Sequence, residues 1–141
     1  MTFTNPPPDE IKAILTKVKH VAVVGLSPKP TRPSHMVARN LQSFGYHIIP
    51  VRPAVDKVLG EKAYANLSEV PAPIDMVDVF RAPEKISLVV DVCIERNIPV
   101  LWLQDGVVNE AEALRAQQAG ITVIMDRCTY RDYMSLLEEL R

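Results

Sequence analysis

Apolar residues recur at Ile11, Ile14, Leu15 and Val18, the i, i+3, i+4, i+7 spacing of a single helical stripe, so residues 9–19 predict an amphipathic helix led in by Pro6, Pro7 and Pro8. The pattern then changes. HVAVVG at 20–25 is a short Val-rich run without alternation, as expected of a strand covered on both faces in a parallel sheet. LSPKPTRPS follows, and Pro28, Pro30 and Pro33 within it exclude regular structure. Ser34 reads as the N-cap of a helix that carries Val37, Leu41 and Phe44 up to Gly45. YHIIPV (46–51) predicts a second strand, followed by a loop with Pro53 and Gly60 and a short third strand near Ala63 and Tyr64. IDMVDVF (74–80), PVLWLQ (99–104) and ITVIMD (121–126) predict three more strands. Between and after them, Ile86, Val89, Val90, Cys93 and Ile94 share one helical face. Residues 109–119 read as a helix closed by Gly120, and 129–140 as a helix with Tyr130, Tyr133, Leu137 and Leu140 facing inward.

A helix followed by repeated strand–helix units implies right-handed crossovers. The predicted fold is α/β: a Rossmann-like, doubly wound, mostly parallel sheet of five or six strands with helices on both faces. At 141 residues the chain reads as a single domain over 1–141. Hydrophobic residues at 48% and charged residues at 23% match an ordinary globular protein, and a net charge of -1 favours neither nucleic acid nor an anionic membrane as partner. No stretch approaches about 18 consecutive apolar residues, and the amino terminus lacks a basic segment followed by an apolar run, so the reading is a cytoplasmic protein. Cys93 and Cys128 lack CxxC spacing, which argues against a disulfide framework or a structural metal and agrees with a reducing compartment.

In an open parallel sheet, ligands bind beyond the carboxyl ends of the strands where strand order reverses, which directs attention to residues 25–35. The dinucleotide fingerprint GxGxxG is absent: Gly25 is followed by Leu26, Ser27, Pro28, Lys29, Pro30, Thr31, Arg32, Pro33 and Ser34. The loop instead offers hydroxyls at Ser27 and Ser34, cations at Lys29 and Arg32, and the amides of the next helix's first turn, all suited to phosphate oxygens. The same residues admit a plainer reading, with Lys29 and Arg32 as solvated charges and Ser34 only a cap. At the end of the second strand, where an NAD-binding domain places an acid for the ribose hydroxyls, this chain has Arg52. Arg52 disfavours plain NAD and suits a phosphorylated ribose, the 2′-phosphate of NADP or the 3′-phosphate of coenzyme A, unless it is a surface arginine.

Taken together, VVGLSPKPTRPS, the strand end YHIIPVRP, IDMVDVF, LWLQDGVVNEAEA at 101–113 and VIMDRC at 123–128 resemble the small stand-alone proteins of the CoA-binding domain family, over nearly the whole chain. That family is similar to the N-terminal domain of the succinyl-CoA synthetase alpha subunit without the partner domain that carries its phosphorylated histidine. The resemblance implies coenzyme A or an acyl-CoA as cofactor, with its phosphates along Gly25 to Ser34 and with Ser27, Pro28, Lys29, Arg32 and Ser34 in that loop. It places Val51, Arg52 and Pro53, together with Phe80 and Arg81, around the adenosine, and Trp102 and Gln104 beside the pantetheine arm. Trp102 also reads as a core residue. At position 52 the family more often has Asn or Ser, so Arg52 either reaches the 3′-phosphate or points to solvent.

No catalytic residues are assigned. His20 opens a strand and His47 lies in one; His35 is near the expected phosphates but lacks a visible orienting carboxylate. Asp75 and Asp78 bracket a buried strand, Glu110 opens a helix, and neither they nor Asp105 form a convincing acid/base pair. Cys128, after Asp126 and Arg127, reads either as a thiol whose pKa a neighbouring cation lowers for exchange with the cofactor thiol, or as a buried structural cysteine. Cys93 reads as packing. The expected function is therefore a non-catalytic binding or regulatory module for coenzyme A or acyl-CoA, acting with a partner enzyme or as a homodimer. The alternatives are an NADP-dependent reductase and a protein-interaction scaffold without nucleotide.

Overall fold

The computed structural model of the chain describes residues 2–71 and 73–137. Its strands are β1 (His20–Val24), β2 (His47–Val51), β3 (Lys57–Val58), β4 (Glu61–Lys62), β5 (Met76–Val79), β6 (Val100–Leu103) and β7 (Thr122–Met125). Five of them form one sheet in the order β2-β1-β5-β6-β7, with every neighbouring pair parallel. The helices are α1 (Pro8–Lys17), α2 (Pro33–Ser43), α3 (Ser87–Glu95), α4 (Glu110–Gln118) and α5 (Thr129–Leu137). This is the expected Rossmann-like α/β fold, with five strands in the sheet. Leu140, expected to face inward on the last helix, lies outside the described residues.

Along the five strands of the main sheet, successive side chains alternate between two faces, each covered by a core. Val21 and Val23 of β1 join Ile11, Leu15, Leu41, Trp102 and Tyr133 beneath α1, α2 and α5, whereas Ala22 and Val24 join Ile86, Val90, Cys93 and Ala113 beneath α3 and α4. A strand buried on both faces has no polar face to show, which is why HVAVVG carried no alternation. Three helices end in the same way, on a residue with positive φ that lets two amides fold back on the last turn: Gly45 (φ 106) after α2, Asn97 (φ 53) after α3 and Gly120 (φ 94) after α4. The amides of Tyr46, Ile98 and Ile121 donate to Leu41, Cys93 and Ala116 respectively, closing each helix and starting the next strand.

The third strand expected near Ala63 and Tyr64 shrinks to one parallel bridge, Val51 with Tyr64. The loop before it holds instead a hairpin of β3 and β4, joined by Leu59 and Gly60 at φ 55 and 78. Two consecutive positive φ values make the turn that matches strand twist, and Leu59 hides it from a sequence reading because Asn or Asp is the usual residue there. The predicted N-cap also moves: α2 starts at Pro33 with Arg32 in the capping position and no side-chain cap. Ser34 lies within the first turn, and its hydroxyl has other work.

Below the carboxyl ends of β5 and β6 lies a buried polar trio. The Gln104 amide donates to Asp78 Oδ1 (2.7 Å) and Thr129 Oγ1 (2.8 Å), and Thr129 donates to Asp78 Oδ2 (3.3 Å). Asp78 and Thr129 are fully buried. Burial pushes the Asp78 carboxyl up from its ordinary 3.8 to about 7, against the hydrogen bonds from Gln104 and Thr129 that hold it down. A raised acid keeps in the folded state a proton that the unfolded chain releases, so its contribution is fully present below about pH 4 and is lost as pH rises to about 7. Asp78→Asn should remove that slope. Urea unfolding at pH 5 and pH 8 should find the variant gaining on the native chain by up to a few kcal/mol at the higher pH, and an unchanged difference would show that Asp78 ionises normally.

Candidate functional site

Gly25 ends β1 at φ 85 and donates its amide to Val51 O at 2.9 Å, extending the pairing with β2 by one residue. A Cβ on it would stand 2.3 Å from Phe80 O, so no side chain fits. The exits of β1 and β5 thus touch at the point where strand order reverses, and the two chains part to opposite faces of the sheet, α2 to one and α3 to the other.

The loop that follows is folded upon itself. Ser34 Oγ accepts the amide of Ser27 (3.0 Å), Ser27 Oγ accepts the amide of Lys29 (3.1 Å), and the His35 ring bonds Ser27 O through Nδ1 (2.9 Å). Ser27 and Ser34 are buried, so their hydroxyls shape the loop from within, while Lys29 and Arg32 stand exposed on it. The amino-terminal end of α2, an 11-residue helix, adds the positive end of its dipole behind them.

Two clefts open along this edge. The smaller, about 380 Å³, is lined by the loop from Gly25 to Ser34 together with Arg52 and Phe80. The larger, about 790 Å³, lies between the end of β2, residues 65–68 and α3. Gly25 and Arg52 border both. Arg52 is held by its own amide, which donates to Tyr64 O at 2.8 Å, and its Nη1 donates to Gly25 O at 3.4 Å.

Charge is distributed unevenly around the edge. Lys29, Arg32, Arg52, Arg81 and Lys85 border the clefts, and among the described residues none of them takes part in a salt bridge. Toward β6 and β7 the arginines are matched: Arg127 with Asp132 (2.6 Å), Arg131 with Asp105 (2.8 Å), and Arg115 with both Glu112 and Asp91 (2.7 Å each). Asp91 borders the larger cleft, but Arg115 already neutralises it.

Of the residues singled out from the sequence, Gly25, Ser27, Pro28, Lys29, Arg32, Ser34, Val51, Arg52, Pro53, Phe80 and Arg81 all line one or both clefts. Trp102, Gln104 and Cys128 line neither. Trp102 is wholly buried, with its indole donating to Arg127 O at 2.7 Å. The Gln104 amide is committed to Asp78 and Thr129, which leaves none of its N–H groups for a pantetheine arm. Burial pushes the Cys128 thiol up, against the backbone hydrogen bonds of Arg131 and Tyr130 and the Arg131 charge that hold it down. Cys93 is pushed up to about 12 by burial in the core, as packing requires.

Sequence reasoning missed the wall formed by residues 65–68 and by Leu88, Val89 and Val92 of α3. One signal was available. Leu88 falls off the inward stripe of its helix and is 76% exposed, an apolar residue that the core does not use.

The family described as "CoA binding domain" matches residues 19–134. "Uncharacterized protein YneT" of Bacillus subtilis (strain 168) is 48% identical over 124 residues, which are 88% of this chain and 92% of that protein. The solved structure of a hypothetical protein from Pyrococcus horikoshii OT3 superposes with a TM-score of 0.90 at 34% identity, covering 97% of this chain and 99% of that one. "Acetate--CoA ligase [ADP-forming] II" of Archaeoglobus fulgidus is 36% identical over 70 residues, 48% of this chain but only 10% of that enzyme.

Gly25→Ala should lower stability by at least about 1–3 kcal/mol, since it combines a disfavoured φ with a backbone clash. Chemical denaturation checks this, with Gly60→Ala as reference: it shares the positive φ (78) but meets nothing within 4 Å, so the larger loss should fall on Gly25.

Proposed function

This chain belongs to the CoA binding domain family, and on that premise we propose that it binds coenzyme A or an acyl-CoA across the two clefts. The observation that carries the reading is the cluster of five cations, Lys29, Arg32, Arg52, Arg81 and Lys85, around the strand-order reversal, none of them in a salt bridge among the described residues. Of the acids at the clefts, Glu95 alone forms no salt bridge among the described residues, so the unpaired charge around them is mostly positive and draws a polyanion, which coenzyme A is. The pyrophosphate sits on the loop from Gly25 to Ser34, where Lys29 and Arg32 supply charge-assisted hydrogen bonds and the α2 terminus adds its dipole. The adenosine lies in the larger cleft, between Val51 and Pro53 on one side and Arg81 on the other, with Phe80 at the smaller cleft beside it.

The module carries or senses the cofactor and works with a partner enzyme. Two features support binding over catalysis: neither cleft is lined by a histidine or cysteine among the described residues, and the Cys128 thiol is buried away from both. The Archaeoglobus fulgidus ligase, of which this chain matches a tenth, fits the same view, because most of that enzyme's length has no counterpart here.

Thermal unfolding with CoA, acetyl-CoA, NADPH, NAD and ADP tests the proposal. CoA and acetyl-CoA should raise the midpoint, by the equivalent of about 2.7 kcal/mol at a hundredfold excess over the dissociation constant. Arg32→Ala should weaken binding roughly 10- to 100-fold, the loss expected of one charged phosphate contact. A shift with NADPH alone would point to a reductase, and no shift with any nucleotide to a scaffold; either result overturns the proposal.

A further inference from the structure

We infer that Arg52 and Arg81 form a second phosphate site, separate from the loop of Lys29 and Arg32, that makes this chain selective for a nucleotide with a phosphorylated ribose, the 3′-phosphate of coenzyme A being the group read. The inference rests on the reading that the ligand is coenzyme A, and it is carried by how the two side chains meet.

Both cross Gly25 from opposite sides. Arg52 comes from the end of β2 and places Nη1 3.4 Å from Gly25 O. Arg81 comes from the end of β5, and its Cδ lies 3.4 Å from where a Gly25 Cβ would stand. Two arginine side chains thus approach one glycine and border the larger cleft together, neither with a salt-bridge partner among the described residues, so an anion bound there would meet both positive charges. Their planar forks suit a phosphate, which can take two hydrogen bonds from each.

Arg52 is also held in place. Its amide donates to Tyr64 O (2.8 Å), and the Tyr64 amide donates to Pro50 O (3.0 Å), which ties the chain on both sides of Val51 to the bridge. Pro53 fixes the next φ, and Ala54 then adopts φ 61, a left-handed conformation that alanine takes at a cost. Strain of this kind accumulates where a side chain must be aimed. Arg52 stands where an NAD-binding domain has an acid for unmodified ribose hydroxyls, so the charge at this position is reversed. Because Arg52 borders both clefts, a ligand with its pyrophosphate on the loop and its adenosine beyond β2 passes its ribose over this arginine.

Isothermal titration of CoA and 3′-dephospho-CoA into the native chain, Arg52→Ala, Arg52→Lys and Arg81→Ala tests this. The native chain should bind CoA at least about tenfold more tightly than the dephospho form, the gain expected from charge-assisted hydrogen bonds. In Arg52→Ala and Arg81→Ala the gap should collapse while affinity for dephospho-CoA stays unchanged, and Arg52→Lys should restore part of it. Equal affinity of the native chain for the two ligands overturns the inference and leaves CoA binding standing, and does so without any variant having to fold. A variant that weakens both ligands equally overturns it too, by assigning that arginine to the pyrophosphate. If the native chain binds neither ligand, the CoA reading falls and this inference with it.

Discussion

A Cβ on Gly25 would lie 2.3 Å from Phe80 O, and this close approach of two backbones governs the carboxyl edge of the sheet. It sets β1 and β5 side by side at the reversal of strand order, with the Phe80 amide donating to Val24 O at 2.8 Å and the Gly25 amide to Val51 O at 2.9 Å. From there the chain leaves to α2 on one face and α3 on the other, and the divergence makes the two clefts. A side chain at position 25 would run into the Phe80 backbone and crowd Arg81, beside the carbonyl to which Arg52 donates.

The edge is divided electrostatically as well as sterically. Around β6 and β7, Arg115, Arg127 and Arg131 are each matched by at least one acid, Arg115 by both Asp91 and Glu112, so their positive charge is neutralised and the loops they hold are latched. Asp105 illustrates the latch: the Arg131 guanidinium holds its carboxyl below the usual carboxylate range. Around β1, β2 and β5, Lys29, Arg32, Arg52, Arg81 and Lys85 form no salt bridge among the described residues. A net charge of -1 for the chain conceals this contrast, because the acids and bases are sorted by position.

Beneath the same edge, Asp78, Gln104 and Thr129 place a satisfied hydrogen-bond trio in an otherwise apolar layer. Each of these groups would be costly to bury alone, and their mutual bonds fix how β5, β6 and α5 meet. Gln104 thereby serves the scaffold below the crevice and contributes nothing to its surface.

The alternation of strand and helix was legible in the sequence because it depends on local spacing: HVAVVG and LWL read as strands covered on both faces, and Gly45 and Gly120 as helix ends, from a few neighbouring residues each. So was the loop from Gly25 to Ser34 as a wall of a cleft, since Gly25, Lys29, Arg32 and Ser34 fall within ten residues at a place that the fold type marks for ligands. Tertiary structure alone decided what required residues distant in the chain to meet. It turned Ser34 from a cap into the acceptor for Ser27, bound Gln104 to Asp78, sealed Trp102 and Cys128 inside, and brought α3 and residues 65–68 up to form a wall. It also brought Arg52 and Arg81, 29 positions apart, to the same glycine. Local periodicity reports which face of an element is buried, but whether a polar side chain then meets solvent, ligand or another buried group depends on what the opposing element supplies, and that is settled only when the chain closes on itself.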